Sequence, residues 1–156
     1  MSELSTENIP YDEMRAISLL LKAHGDAHLE AVRAVIAFGS LVATGDSTDI
    51  ELLEVVEGWQ GIRRVEFGST AQVPLRGLAT IYFLTPQEFE SPTEMLLTGT
   101  DVSSASLLRR VRAAYTVLIN RPPDYVQNQF RRPTSSRISP AEFFAQSHLV
   151  AGQAAV

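Results

Sequence analysis

The spacing of hydrophobic residues at the start of the chain predicts helices. Between residues 10 and 24, apolar side chains recur every three or four positions, which is the period of an amphipathic helix. Pro10 suits the first helical position, and Gly25 is a natural C-terminal stop. Asp26 can then cap a second short helix that reaches Val32. The sequence therefore predicts two helices before the first strand.

The middle of the chain instead contains short apolar or alternating segments that are typical of strands. Glycines and small polar residues bound each of them. They comprise residues 34–38, 49–56, 62–67 and 75–84. The third segment alternates charged and apolar residues, as a half-exposed edge strand does, and we expect it to form a β-hairpin with the fourth. A brief helical turn after Gly39-Ser40 is expected between the first two strands.

Further helices are predicted by capping boxes, in which a hydroxyl accepts the amide of the residue three positions later. Ser/Thr-Pro-x-Glu sequences of this kind begin at Thr85, Ser91 and Ser139. A longer helix is predicted over residues 103–115, where the leucines share one face and Arg109, Arg110 and Arg112 lie mostly outward. These arginines are most simply a solvated face, and a phosphate contact by them stays open. The apolar residues 116–119 then predict a short buried strand.

This order of elements predicts an α+β protein with a mixed sheet flanked by helices. At 156 residues, we expect a single domain over residues 1–130. Residues 131–156 are expected to form a basic arm with a short C-terminal helix and a frayed end. The polar stretch 124–138 has no clear period and predicts a loop.

Composition narrows the classes of protein to which the chain can belong. The net charge of −5 argues against a dedicated nucleic-acid binder, although a local basic patch stays open. The absence of cysteine excludes disulfides and thiolate nucleophiles. No signal-peptide pattern opens the chain, and no apolar run approaches the ~18 residues of a membrane span. We therefore expect a cytoplasmic protein without a membrane partner, for which a homo-oligomer stays open.

Candidate chemistry is concentrated where the first predicted strand ends and the second begins. The first strand ends at Gly39-Ser40, and the second opens with Asp49-Ile50-Glu51. Side chains two residues apart on a strand share a face, so both carboxylates are expected on one side of the sheet. Carboxylates beside a Gly-Ser turn suit a nucleotide phosphate and its divalent metal. Taken alone, each feature also has a simpler interpretation, as an ordinary turn and as a solvated strand face.

Together, Gly39-Ser40, Gly45 and Thr48-Asp49-Ile50-Glu51 resemble the signature of the nucleotidyltransferase superfamily, which includes DNA polymerase β and the aminoglycoside nucleotidyltransferases. The resemblance covers roughly residues 28–120. It implies Mg²⁺-dependent transfer of a nucleoside monophosphate from a nucleoside triphosphate to an unknown acceptor. It further implies that Asp49 and Glu51 are catalytic metal ligands. Gly39, Ser40, Gly45 and Thr48 would then contact the nucleotide.

The same resemblance implies a third carboxylate, the general base, near Ala79 or Thr80, and neither residue is acidic. Glu66 is the nearest substitute in sequence, although its neighbours Arg63 and Arg64 also predict a surface ion pair. Two alternatives to an enzyme therefore stay open. One is an inactive nucleotidyltransferase-fold protein that binds a nucleotide or a partner protein. The other is an unrelated α+β interaction domain.

Overall fold

The computed structural model describes residue 9 and residues 11–25, 30–45 and 48–131 of the chain. By internal contacts the chain falls into two units, Met1–Val126 and Gln127–Val156. Of the second unit, only residues 127–131 are described. None of the described helices is long and apolar enough to cross a membrane.

Helices and strands alternate along the described part of the chain. The helices are α1 (Tyr11–Gly25), α2 (Ser40–Thr44), α3 (Pro86–Glu90), α4 (Ser104–Ala113) and α5 (Tyr125–Arg131). The strands are β1 (Val32–Phe38), β2 (Ile50–Val56), β3 (Arg64–Phe67), β4 (Ala79–Leu84) and β5 (Tyr115–Asn120). The predicted first helix, the helical turn after Gly39, the hairpin and the helix after Ser103 are therefore confirmed.

The strands form one mixed sheet in the order β3-β4-β2-β1-β5. β2 and β4 are parallel, whereas the other three neighbouring pairs are antiparallel. Helices flank this sheet, so the predicted α+β class is confirmed. The parallel β2–β4 pair matters most for the site, because it places the start of β4 beside the start of β2.

The two faces of the sheet differ in chemistry. One face carries Ala37, Leu52 and Ile81, which belong to the buried hydrophobic core together with Ile17 and Leu20 of α1. Neighbouring strand residues in register share a face, so the residues that alternate with these lie on the opposite side. That second face includes the charged residues of the candidate site.

Helix α4 contributes to the structure that surrounds this second face. Its N-cap is Ser103, whose hydroxyl accepts the Ser106 amide at 3.0 Å, while the Ser106 hydroxyl accepts the Ser103 amide. Leu107, Leu108 and Val111 are buried, as predicted from their spacing. The helix lies against β1. It can therefore present a side chain to the end of that strand.

Four predictions about secondary structure are wrong or incomplete. The Ser91 box starts no helix, because the backbone of Thr93 pairs with Ser104 and Ala105 instead. Val32 belongs to β1 rather than to a helix, and residues 26–29 lie outside the described part. The last strand is a half-buried edge strand, and α5 occupies part of the predicted loop. The predicted helix after Ser139 also lies outside the described residues.

Candidate functional site

The turn between β1 and α2 is built on Gly39. Its φ is +90°, a conformation that side chains disfavour, and its N–H donates to the Ala114 carbonyl at 3.2 Å. A Cβ on Gly39 would lie only 2.5 Å from Oε2 of Glu51. The missing side chain therefore lets the Glu51 carboxylate pack directly against the backbone of the turn.

Asp49 lies just before β2, and its carboxylate is directed toward the start of β4. Its Oδ1 accepts the Leu78 amide at 2.9 Å. The adjacent Gly77 has no room for a side chain, because a Cβ there would lie 2.4 Å from the same oxygen. This hydrogen bond fixes the orientation of an otherwise exposed carboxylate.

Glu51 is bound from the opposite side by Arg110 of α4. Nη2 of Arg110 donates to Oε1 of Glu51, and the guanidinium lies 5.4 Å from the centre of the Phe38 ring. Partial burial lowers the pKa of Arg110, but interactions with Tyr82 and Glu51 outweigh it and raise the pKa above its ordinary value. Arg110 therefore places a positive charge directly against the Glu51 carboxylate.

The register of the strands identifies the residue that lies beside Glu51. Glu51 pairs with Thr80 of β4, and Thr80 pairs with Glu66 of β3. These three residues form a row on one face, with Phe38 of β1 next in line. Adjacent strands are about 5 Å apart, so Glu66 is about 10 Å from Glu51. Of the two positions considered from sequence, Thr80 is the one on this face, whereas Ala79 pairs with the buried Ile50.

Glu66 is engaged in an ion pair with Arg64, two residues away on the same strand. Arg64 lies 5.9 Å from the centre of the Tyr82 ring, and hydrogen bonding to Tyr82 raises the pKa of Arg64. In the part of the chain that the structure describes, no three His, Asp or Glu side chains are close enough to hold a metal ion by themselves. Glu51 and Glu66 of the row are thus each paired with an arginine, and both arginines also interact with Tyr82.

The remaining candidate residues lie around the same turn with differing roles. Ser40 is exposed at the first position of α2. Gly45 ends that helix in a left-handed conformation, with its amide donating to the Leu41 carbonyl at 2.8 Å. Thr48 is exposed and packs its backbone and hydroxyl against Gly77. Gly45 therefore has a structural role as a helix stop, whereas Ser40 and Thr48 are accessible to a ligand.

The structure adds Arg110 and Tyr82 to the residues that sequence analysis identified. Arg110 was expected to lie mostly outward, and it is 47% exposed, yet its head group reaches Glu51. Its position three residues after the buried Leu107 is a signal that it lies beside the inward face of α4. Tyr82 gives no comparable signal, since an apolar strand commonly includes a tyrosine.

A scan against models of known protein families found no match for this chain, and a search of curated proteins found none either.

Proposed function

We propose that this protein binds a nucleoside triphosphate together with Mg²⁺, in the manner of a nucleotidyltransferase, without efficient transfer of the nucleotide. The observation that carries the proposal is the packing of the Glu51 carboxylate against the backbone of Gly39. This contact places Glu51, near the start of β2, beside the Gly39-Ser40 turn. Both belong to the sequence pattern that resembles the nucleotidyltransferase signature. Asp49 belongs to the same short segment.

Asp49 and Glu51 are the kind of donor that Mg²⁺ takes when a phosphate completes the coordination. Mg²⁺ is usually held by one or two carboxylates together with water and substrate phosphates. Asp49 and Glu51 would be the two carboxylates, and both are reachable, with Glu51 25% exposed. When bound, the ion would neutralise phosphate charge and polarise the phosphorus centre. Ser40 and the amides near Gly39 would bind phosphate oxygens.

Thr80 is the reason to propose binding without efficient transfer. It occupies the register position directly beside Glu51, where the resemblance implies a carboxylate that takes the acceptor's proton. A threonine hydroxyl is not basic enough for that role near neutral pH. Glu66 is one strand further away and is already paired with Arg64.

A second candidate function is transfer of the nucleoside monophosphate to an acceptor, with Glu66 as the general base. The shared face of Glu66 and Glu51 favours this candidate, because both carboxylates are then directed toward the same side of the sheet. The acceptor would be a hydroxyl or phosphate group, which a partner protein would present if this chain does not bind it alone.

Nucleotide titration tests the proposal. We expect wild-type protein to bind ATP or GTP with Mg²⁺, and Asp49→Asn to weaken that binding about tenfold, the effect of losing one charged ligand. The matched control is Asp12→Asn, an exposed aspartate on α1, which should leave the affinity unchanged. Isothermal titration calorimetry measures each affinity with Mg²⁺ and with EDTA.

The outcomes separate the candidate functions. If neither nucleotide binds under any condition, both proposals fail. If a labelled nucleoside monophosphate becomes covalently attached to an acceptor and Glu66→Gln prevents this, the second candidate replaces the first. Binding that depends on Mg²⁺ and Asp49, with no labelled acceptor, is the expected result.

Thr80→Asp provides a second test of how the row is organised. We expect it to tighten Mn²⁺ or Mg²⁺ binding about tenfold, because a third carboxylate then lies beside Glu51. Without metal it should destabilise the fold by roughly 0.2–1 kcal/mol, since like charges face each other across strands. Thr80→Asn is the control, because asparagine has nearly the same shape as the introduced aspartate but carries no charge. Equal metal affinities in the two variants would contradict the proposed position of the site.

A further inference from the structure

The proposed function leaves one charged group in contact with Glu51 without a role. This group is the guanidinium of Arg110, which donates to Oε1 of Glu51 while Oε2 faces Gly39. One oxygen of the proposed metal ligand is therefore paired with Arg110, and the other lies against the backbone of Gly39. A divalent cation that binds Glu51 has to bind a carboxylate that is already neutralised by Arg110.

The ion pair between Arg110 and Glu51 is suited to being exchanged. The Arg110 side chain is 47% exposed, so its far side is open to solvent. Ion pairs with this degree of exposure contribute little net stability, because water solvates both partners when they separate. The Phe38 ring also lies beneath the guanidinium at 5.4 Å and would keep holding it after Glu51 is released.

We propose that Arg110 shields Glu51 in the free protein and turns to a phosphate of the nucleotide when Glu51 is engaged by a divalent cation. This inference rests on the proposed function and adds to it a residue that couples metal binding to nucleotide binding. Arg110 thereby exchanges one anionic partner for another.

The chemistry of the guanidinium suits the second partner as well as the first. Its planar fork of N–H donors matches two oxygens of a phosphate, as it matches the two oxygens of a carboxylate. The row carries Glu51 and Glu66, and Asp49 lies just before β2, so three carboxylates near the site would repel a triphosphate. Arg110 supplies a positive charge directly beside Glu51, which would offset part of this repulsion.

Substitution of Arg110 separates its shielding of Glu51 from its contact with a phosphate. Loss of the first should raise the affinity for a divalent cation alone, and loss of the second should lower the affinity for the nucleotide. We expect Arg110→Gln to bind Mn²⁺ alone about two- to fivefold more tightly, since Glu51 is no longer neutralised. The same variant should bind ATP with Mn²⁺ about tenfold more weakly, since a charged phosphate contact is lost. Arg110→Lys should restore part of the nucleotide affinity as a point charge.

The matched control is Arg109→Gln on the same helix. Arg109 pairs with Glu94 at 3.0 Å, so its loss removes an equal charge away from Glu51. Electron paramagnetic resonance measures free Mn²⁺, and calorimetry measures ATP binding. Opposite shifts in Arg110→Gln, absent from Arg109→Gln, support the inference.

Two failures can be told apart. If wild-type protein binds ATP but Arg110→Gln behaves like Arg109→Gln, or weakens metal and nucleotide binding alike, the inference about Arg110 is wrong and the proposed function stands. If wild-type protein binds neither ATP nor GTP with any divalent cation, the proposed function is wrong and the phosphate role of Arg110 falls with it.

Discussion

Gly39→Ala is expected to destabilise the protein by about 2–3 kcal/mol and to weaken metal-dependent nucleotide binding at least tenfold. The backbone at Gly39 has φ +90° and ψ −159°, a region that costs other residues about 1–3 kcal/mol. The added Cβ would also lie 2.5 Å from Oε2 of Glu51, so this carboxylate has to move. Urea denaturation followed by circular dichroism measures the stability, and calorimetry measures the nucleotide affinity.

Gly58→Ala is the matched control for this substitution. Gly58 also has a positive φ, +69°, but nothing lies within 4 Å of the Cβ that would be added. It should therefore show the cost of backbone strain alone, about 1 kcal/mol, with unchanged nucleotide binding. If Gly39→Ala and Gly58→Ala have the same effects on stability and binding, the close contact with Glu51 has no functional role.

Phe83→Ala is expected to lower the free energy of unfolding by about 3–5 kcal/mol, the usual cost of removing a buried aromatic side chain. Phe83 is 1% exposed in β4 and belongs to the core that includes Ile17. The Trp59 ring stacks on it, with centroids 4.4 Å apart and an interplanar angle of 13°. Both the cavity and the loss of this stacking contribute.

Two measurements follow the effect of Phe83→Ala. Circular dichroism during urea denaturation gives the stability, and the emission of Trp59, the single tryptophan, should shift to longer wavelength as its ring gains exposure to water. Met95→Ala is the control, because Met95 is 79% exposed and its loss leaves no cavity. A loss below about 1 kcal/mol with unchanged emission would show that the stacked pair is not part of the core.

The two sides of the sheet therefore have separable roles in these experiments. Phe83 lies on the face that holds the main hydrophobic core, so its loss should reduce stability while nucleotide affinity, measured well below the unfolding transition, is retained. Gly39, Glu51 and Arg110 adjoin the opposite face, where substitutions should act mainly on ligand affinity. A substitution at Thr80 lies on the same face, directly in the row.

Sequence alone predicted those elements whose cause is local. Helix α1 follows from its apolar period, and α3 from the capping box in which Thr85 accepts the Glu88 amide at 3.2 Å. The strands β1, β2 and β4 follow from short apolar runs bounded by small residues, with ends correct to within a few positions. The closeness of the Gly39 turn to the start of β2 was implied by resemblance, and the structure places Glu51 against Gly39.

Other features depend on contacts between residues distant in sequence, and these were not predictable. The Ser91 box has the same local pattern as the Thr85 box, but Thr93 is bound by Ser104 and starts no helix. Glu13 reads as an ordinary acidic residue in the first turn of α1. It is nevertheless 3% exposed and paired with Arg76, 63 residues away in sequence, at 3.4 Å.

The site divides in the same way. From sequence alone, a Gly-Ser turn was predicted to precede a strand beginning near Asp49, and strand geometry predicted Asp49 and Glu51 on one face because they are two residues apart. The observed strand begins one residue later, at Ile50. That Thr80 rather than Ala79 lies beside Glu51 could not be read from sequence, since the parallel register of β2 and β4 depends on contacts between distant residues. Likewise, Arg110 reaches Glu51 because α4 packs on β1. The helix sequence alone does not indicate which carboxylate an exposed arginine will contact, because that depends on the neighbouring elements of the fold.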